Sequence, residues 1–154
     1  MKVYDDKHIK NIVLLGASKS GKTTLAETMM FEAGLINRRG TVEEGTTISD
    51  YHDIEKERGN SVYMTFMHTE WKDYKINIID TPGMGSVTDR HDLIAERHLR
   101  NTGGIIIIMI PINTQLESYE FWNLLGLIHC IFTYEKRSTD RIFFVCNWFD
   151  NYFG

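Results

Sequence analysis

The chain is 154 residues long, 42% hydrophobic and 25% charged, with a formal net charge of −4. That is the composition of an ordinary globular protein, long enough for one domain that buries about two thirds of its unfolded surface. A net acidic chain has no broad basic field to release counterions, so direct sequence-specific binding of nucleic acid is not expected.

The first residues, Met1 to Lys7, contain no apolar signal core, which argues against secretion and for a cytoplasmic protein. Lys10–Leu15 then predicts a fully buried strand. It runs into Gly16-Ala17-Ser18-Lys19-Ser20-Gly21-Lys22-Thr23, a G-x-x-x-x-G-K-[ST] stretch, and Lys22–Ala33 behind it predicts a helix. On that helix Leu25 and Met29, like Ala26 and Met30, stand four apart and give one apolar face, and Gly34 is placed to end it. Strand, glycine-bracketed loop and helix form the setting in which backbone N–H groups and the positive end of a helix hold phosphate oxygens. Lys22 would reach the outer phosphates and the Thr23 hydroxyl would ligate Mg²⁺. A nucleoside triphosphate is the expected ligand; a chance glycine-rich turn is the alternative.

From Leu35 to Asn60 the chain is polar and glycine-punctuated, with the charged run Glu55-Lys56-Glu57-Arg58 and no clear period. A connection this long inside a compact domain is usually functional or mobile. Ser61–Trp71 and Tyr74–Asp80 predict two strands, joined as a hairpin across Lys72-Asp73. Thr81–Asp92 reads as loop and Leu93–Arg100 as helix. Ile105–Ile112, too short for a membrane span, reads as a strand covered on both faces. Gln115–Lys136 predicts a helix whose apolar part, Phe121–Tyr134, would be buried, with a partner interface as the alternative. Arg141–Asn147 predicts the last strand. Cys130 and Cys146, both in apolar segments without C-x-x-C spacing, read as two buried thiols, with a single disulfide as the alternative. Strands alternating with helices predict an α/β fold with a mostly parallel sheet.

Two further strand ends carry chemistry. Asp80-Thr81-Pro82-Gly83 would let Asp80 hold Mg²⁺ directly or through water and the Gly83 N–H bind a γ-phosphate oxygen. Asn147-Trp148-Phe149-Asp150 would let Asp150 accept from the guanine edge while Asn147 ties its loop to the phosphate loop. Each has a bland alternative, a turn that happens to follow a strand. The six histidines show no ligand spacing, and a surface helix accounts for His91 and His98.

The stretch Lys7–Gly83 resembles the G domain of elongation factor G and its elongation-factor-G-like relatives among translational GTPases. The resemblance rests on the phosphate loop with Lys22-Thr23-Thr24, on Gly34-Leu35-Ile36 and on Gly45-Thr46-Thr47-Ile48-Ser49-Asp50. It continues through Glu55-Lys56-Glu57-Arg58-Gly59, Trp71-Lys72-Asp73 and Ile76–Gly83. It implies a P-loop NTPase G-domain-like three-layer fold over residues 1–154, with switch I at about 35–61 and switch II at about 80–92. It also implies binding of Mg²⁺ with GTP or GDP at Gly16–Thr24, Asn147 and Asp150, a metal site at Thr23, Ser61 and Asp80, and the ribosome as partner.

The departures from the family pattern are specific. Asn60-Ser61 stands where the family has isoleucine and a Mg²⁺-ligating threonine, so Ser61 keeps a hydroxyl there; a serine that merely starts a strand is the alternative. Met84 replaces the histidine that orients the attacking water, so that hydrolysis resting on Lys22 and Gly83 is expected to be slow. Lys19 stands where the family carries an acidic or amide residue, and its ammonium would neutralise phosphate charge or else be a solvated lysine. Trp148 replaces a lysine and would stack on guanine or point into the core.

After Gly83 the likeness fades, and the family's last helix and strand are expected to be missing, as in a truncated, chimeric or designed chain. Three functions follow: a slow GTPase, a non-hydrolysing nucleotide-dependent binding module, or a non-functional fragment that associates because Ile105–Ile112 and Phe121–Tyr134 are poorly covered.

Overall fold

The computed structural model describes residues 2–59, 61–83, 104–111, 119, 122, 125–126, 128–129 and 141–147. Strand β1 (Ile9–Gly16) is followed by helix α1 (Lys22–Glu32), a short helix α2 (Asp53–Arg58), and strands β2 (Thr65–Trp71), β3 (Tyr74–Asp80), β4 (Ile105–Pro111) and β5 (Ile142–Asn147). They form one sheet in the order β2-β3-β1-β4-β5. Strands β3, β1, β4 and β5 run parallel, and β2 joins the edge antiparallel through its hairpin with β3.

Register explains how one strand serves two cores. Ile12 and Leu14 of β1 point to the face that holds Ala26 and Met30 of α1, with Ile78 and Met67 beside them. Val13 and Leu15 point to the other face, where Ile79, Ile106 and Ile108 stand next to them by the pairings Val13↔Ile79, Val13↔Ile106 and Leu15↔Ile108. Period-2 alternation sends successive side chains to opposite faces, so a strand buried on both sides must be apolar at every position. Each such side chain contributes about 2 kcal/mol when fully buried. Ile128, in the segment predicted as the long helix, packs against the second face. The described residues therefore lie in three layers around a mostly parallel sheet, as the sequence predicts.

Helix α1 ends where expected. Gly34 adopts φ 75°, and its N–H and that of Leu35 return to Phe31 O and Met30 O at 2.9 and 3.1 Å. This pair of bonds satisfies the last carbonyls of the helix.

Four expectations are corrected. The polar connection 35–60 contains α2, whose six residues are too few to show a 3.6-residue period. Strand β4 is covered on both faces as the sequence predicts, with Ile106 and Ile108 in one core and Ile105 and Ile107 packed against the other, which overturns only the alternative of a poorly covered Ile105–Ile112. Tyr119, Trp122 and Leu125 are helical but exposed, so the apolar helix is not buried along its whole length. Cys146 is exposed because β5 is an edge strand, with Phe143, Phe144 and Val145 exposed beside it. Cys130 and the segment 93–100 lie outside the described residues, as do Met84, Trp148 and Asp150.

Candidate functional site

Parallel register brings the carboxyl ends of β1, β3, β4 and β5 to one edge of the sheet: Leu14 pairs with Asp80, Gly16 with Met109, and Pro111 with Asn147. The loops that leave this edge carry every described residue singled out in the glycine-bracketed, Asp-Thr-Pro-Gly and Asn-x-x-Asp stretches. In open α/β sheets this is the edge where ligands bind.

The loop 16–21 closes onto α1. Gly21, with φ 92°, is the N-cap of that helix and offers no side-chain cap. A left-handed residue there favours glycine, and an uncapped first turn leaves the amides of Lys22, Thr23 and Thr24 available to an anion. Neighbouring Lys19 holds φ 57° and is exposed. Lys22 is buried, and its Nζ donates to Gly16 O at 3.1 Å, Ala17 O at 2.7 Å and Ser20 Oγ at 3.5 Å. The ammonium is thus curled across the loop it would share with phosphate oxygens. Asn147 Nδ2 donates to Ser20 O at 3.2 Å and lies where a Gly21 side chain would be, 2.6 Å from an added Cβ. Gly83 closes in from β3: a Cβ there would meet Ser18 Cα at 2.3 Å, so only a glycine permits the approach. Thr24 is exposed on the outer side of α1.

Thr23, Ser61 and Asp80 come together. Thr23 Oγ1 donates to Asp80 Oδ2 at 2.9 Å, and Ser61 Oγ lies 2.9 Å from Thr23 Oγ1. With the threonine proton committed to the carboxylate, Ser61 is the donor of the second bond. Thr81 Oγ1 donates to Leu14 O at 2.6 Å, locking the end of β3 to β1.

Buried along with one lysine, Lys22, are four carboxylates among the described residues: Glu27, Asp50, Glu55 and Asp80. They divide by what they bond. Glu27, one turn after Thr23 on α1, accepts from Gly40 N at 2.8 Å and Ile48 N at 2.9 Å. Glu55 accepts from Val62 N and Tyr63 N, each at 3.0 Å, and from His52 N at 3.3 Å. Both oxygens of Asp50 and Oδ1 of Asp80 are buried without a hydrogen-bond partner, together with the hydroxyls of Thr47 and Ser49. Burial pushes the Asp80 carboxyl up to about 6, against the pull of the Lys22 charge and the Thr23 hydroxyl, and the Asp50 charge adds to the rise. Burial likewise raises Asp50, helped by the Glu55 charge and opposed by the nearby Ser61 hydroxyl and by Lys22.

Unsatisfied buried carboxylate oxygens are costly unless a cation answers them. Two hydroxyls and one or two carboxylates beside the glycine-bracketed loop are a donor set that fits magnesium, which takes oxygen ligands and keeps several waters. Among the described residues no group of three or more His, Cys, Asp or Glu side chains could hold a metal ion, so the donor set here depends on the hydroxyls of Thr23 and Ser61 as well as on carboxylates. Sequence reasoning missed Asp50, Glu27 and Glu55 as site residues. Asp50 and Glu55 stood within stretches that carry the resemblance, Gly45–Asp50 and Glu55–Gly59, without a role assigned to them; Glu27, an isolated glutamate on a helix, carried no signal.

Comparison with known proteins follows the same geometry. The family profile "Elongation factor Tu GTP binding domain" matches residues 7–108. Elongation factor G of Petrotoga mobilis is 35% identical over 122 residues, covering 79% of this chain and 17% of the relative. The mitochondrial ribosome-releasing factor 2 of Danio rerio is 38% identical over 104 residues, covering 68% of this chain and 13% of the relative. The chain therefore spans less than a fifth of the length of either. A crystal structure from Thermus thermophilus superposes with a TM-score of 0.61 at 26% identity, over 79% of this chain and 18% of that one. The GTP-bound GTPase-like domain of S. cerevisiae Ski7 shares the fold, with a TM-score of 0.59 at 11% identity, over 95% of this chain and 45% of that one.

Proposed function

On the premise that the chain belongs to the elongation factor Tu GTP binding domain family, we propose that it binds magnesium with GTP or GDP and hydrolyses GTP slowly. One observation carries the reading: Thr23, Ser61 and Asp80 meet within hydrogen-bond distance beside buried carboxylate oxygens that lack a partner. A phosphate loop, an uncapped helix terminus and an unanswered negative charge at one place suit a nucleotide and its cation together.

In this reading the first-turn amides of α1 and Lys22 bind the β- and γ-phosphates, and Gly83 offers its N–H to the γ-phosphate. Thr23 and Ser61 hold Mg²⁺ through their hydroxyls, and Asp80 holds it directly or through water. Magnesium, when bound, supplies the positive charge that offsets the phosphates in the transition state. Asn147 braces the phosphate loop, and Asp150 accepts from guanine. Residues 35–61 and 80–92 act as the two switches of one domain, ordered when the γ-phosphate is present. The ribosome is the proposed partner and the cytoplasm the proposed compartment. Among the described residues no helix is long and apolar enough to cross a membrane.

Met84 favours a second reading, a nucleotide-dependent binding module that does not hydrolyse, since a thioether neither takes a proton nor positions water. Single-turnover hydrolysis of GTP with ribosomes present separates the two. A slow rate above the uncatalysed background supports the GTPase, and a rate at background supports the binding module.

A further inference from the structure

Glu55 is nearly wholly buried, 1% exposed, yet touches neither the phosphate loop nor any cation by the bonds described above. Each of the three hydrogen bonds it accepts comes from backbone. Oε1 takes Val62 N and Tyr63 N, and Oε2 takes His52 N back at the start of α2. The two amides gripped by Oε1 follow directly after Ser61, whose hydroxyl lies 2.9 Å from Thr23 Oγ1. A charged acceptor binding two successive amides fixes the orientation of the peptide plane before them, and with it the place of the Ser61 side chain. Among the hydrogen bonds of the described residues, Glu55 supplies the side-chain acceptor for both amides of this segment.

We propose that Glu55 is a positioning residue: through Val62 and Tyr63 it holds the Ser61 hydroxyl at Thr23, and so couples α2 to the metal and γ-phosphate end of the site. This rests on the magnesium–nucleotide reading above. Glu55 contacts no substrate; it acts through Ser61. The consequence is selective. Losing it weakens Mg²⁺-dependent preference for a triphosphate more than it weakens binding of the diphosphate, which the loop and Lys22 hold without Ser61.

The test uses the full chain with Glu55→Ala, Glu55→Gln, Glu55→Asp and Ser61→Ala, read by hydrogen exchange and by affinities for Mg²⁺ with GDP and with the non-hydrolysable triphosphate GMPPNP. Hydrogen exchange without nucleotide is expected to speed about tenfold or more at Val62 and Tyr63 in Glu55→Ala, because a charge-assisted bond is lost at each amide. The triphosphate-to-diphosphate preference is expected to fall about tenfold in both Glu55→Ala and Ser61→Ala, and the double variant to lose little more than either alone, since coupled residues are not additive. Glu55→Gln keeps a neutral acceptor at full reach and retains most of the preference, whereas Glu55→Asp keeps the charge, falls short and loses it. That ordering, Gln above Asp, stands in for Glu55→Ala should the alanine variant fail to fold. Additive losses in the double variant, or a folded Glu55→Ala with unchanged preference, overturn the proposal. Should the unaltered chain bind neither nucleotide, the functional reading fails instead, while exchange at Val62 and Tyr63 still reports whether Glu55 holds them.

Discussion

The two halves of the sheet treat polarity in opposite ways. Around β1, α1 and the end of β3, oxygens and nitrogens are buried: Lys22, Thr23, Glu27, Asp50, Glu55 and Asp80 are all withdrawn from solvent. At β5 the reverse holds, with Phe143, Phe144 and Val145 exposed by 50, 48 and 37%. Burying polar groups costs free energy and exposing apolar ones forgoes it, so neither pattern arises from stability alone. In the proposed reading the first half receives something charged. The second is a strand edge whose sequence is written for cover.

Substitutions on either side sharpen or break that contrast. The largest effect on folding belongs to the strand that both halves share. Ile108→Ala, fully buried in β4, is expected to lower unfolding free energy by about 3 kcal/mol. The same kind of truncation on the exposed edge, Phe144→Thr, should change it by no more than about 0.5 kcal/mol. Urea unfolding of the two variants checks this, and equal losses would mean that β5 is covered in solution.

Next in size is Lys22→Ala. It removes the ammonium curled across the loop, and GDP affinity is expected to fall about a hundredfold, the upper range for a charged hydrogen bond. Calorimetry with Mg²⁺ present reads the loss, and a thermal scan without nucleotide reads whether the fold survives.

Asp80→Asn should move stability and binding in opposite directions. In the metal-free protein the fold raises this carboxyl from 3.8 to about 6, so the folded state binds the proton more tightly than the unfolded chain. Stability is therefore greatest below the unfolded value, falls as pH rises between the two, and levels off above the higher one. Asp80→Asn should flatten most of that fall, leave the part due to Asp50, and gain about 1–3 kcal/mol at neutral pH in the presence of chelator. Magnesium-dependent nucleotide affinity should drop in the same variant. Chemical denaturation at stepped pH and a Mg²⁺ titration are the two measurements.

The smallest effect is at Lys19, held at φ 57° in the loop. A left-handed lysine is strained by about 1 kcal/mol, so Lys19→Gly is expected to stabilise by about 0.5 kcal/mol once the added freedom of the unfolded chain is counted. A decrease would mean that the side chain makes a stabilising contact.

Much of the fold could be read from the chain because its strands announce themselves. Ile12-Val13-Leu14-Leu15 and the isoleucine run at 105–108 are apolar at every position, as strands buried on both faces must be. The hairpin was legible from two alternating segments separated by Lys72-Asp73. What escaped reading has physical reasons. Helix α2 has six residues and is held by Glu55 gripping backbone rather than by a stripe of apolar side chains, so it has no periodic signature. Cys146 and the apolar residues beside it look like core by composition; their exposure is decided by sheet order, which no local pattern records. The glycine-bracketed loop was legible as a strand–loop–helix unit because its residues are contiguous. Glu27 was not, because its role depends on groups distant in the chain, as Ile48 lies 21 residues away; Glu55 bonds amides seven and eight residues on, past the end of α2, and Asp50 is set apart by burial, neither of which a periodic pattern records.

The central claim is that the loop 16–23 and the oxygens around Thr23 and Asp80 form a seat for a magnesium–guanine nucleotide. Its most direct test is a calorimetric titration of the monodisperse chain with GDP, with and without Mg²⁺, and again with ADP as competitor. Saturable GDP binding that strengthens with Mg²⁺ and withstands ADP is the predicted result. No detectable heat with GDP in the presence of Mg²⁺, from protein shown to be folded, would contradict it.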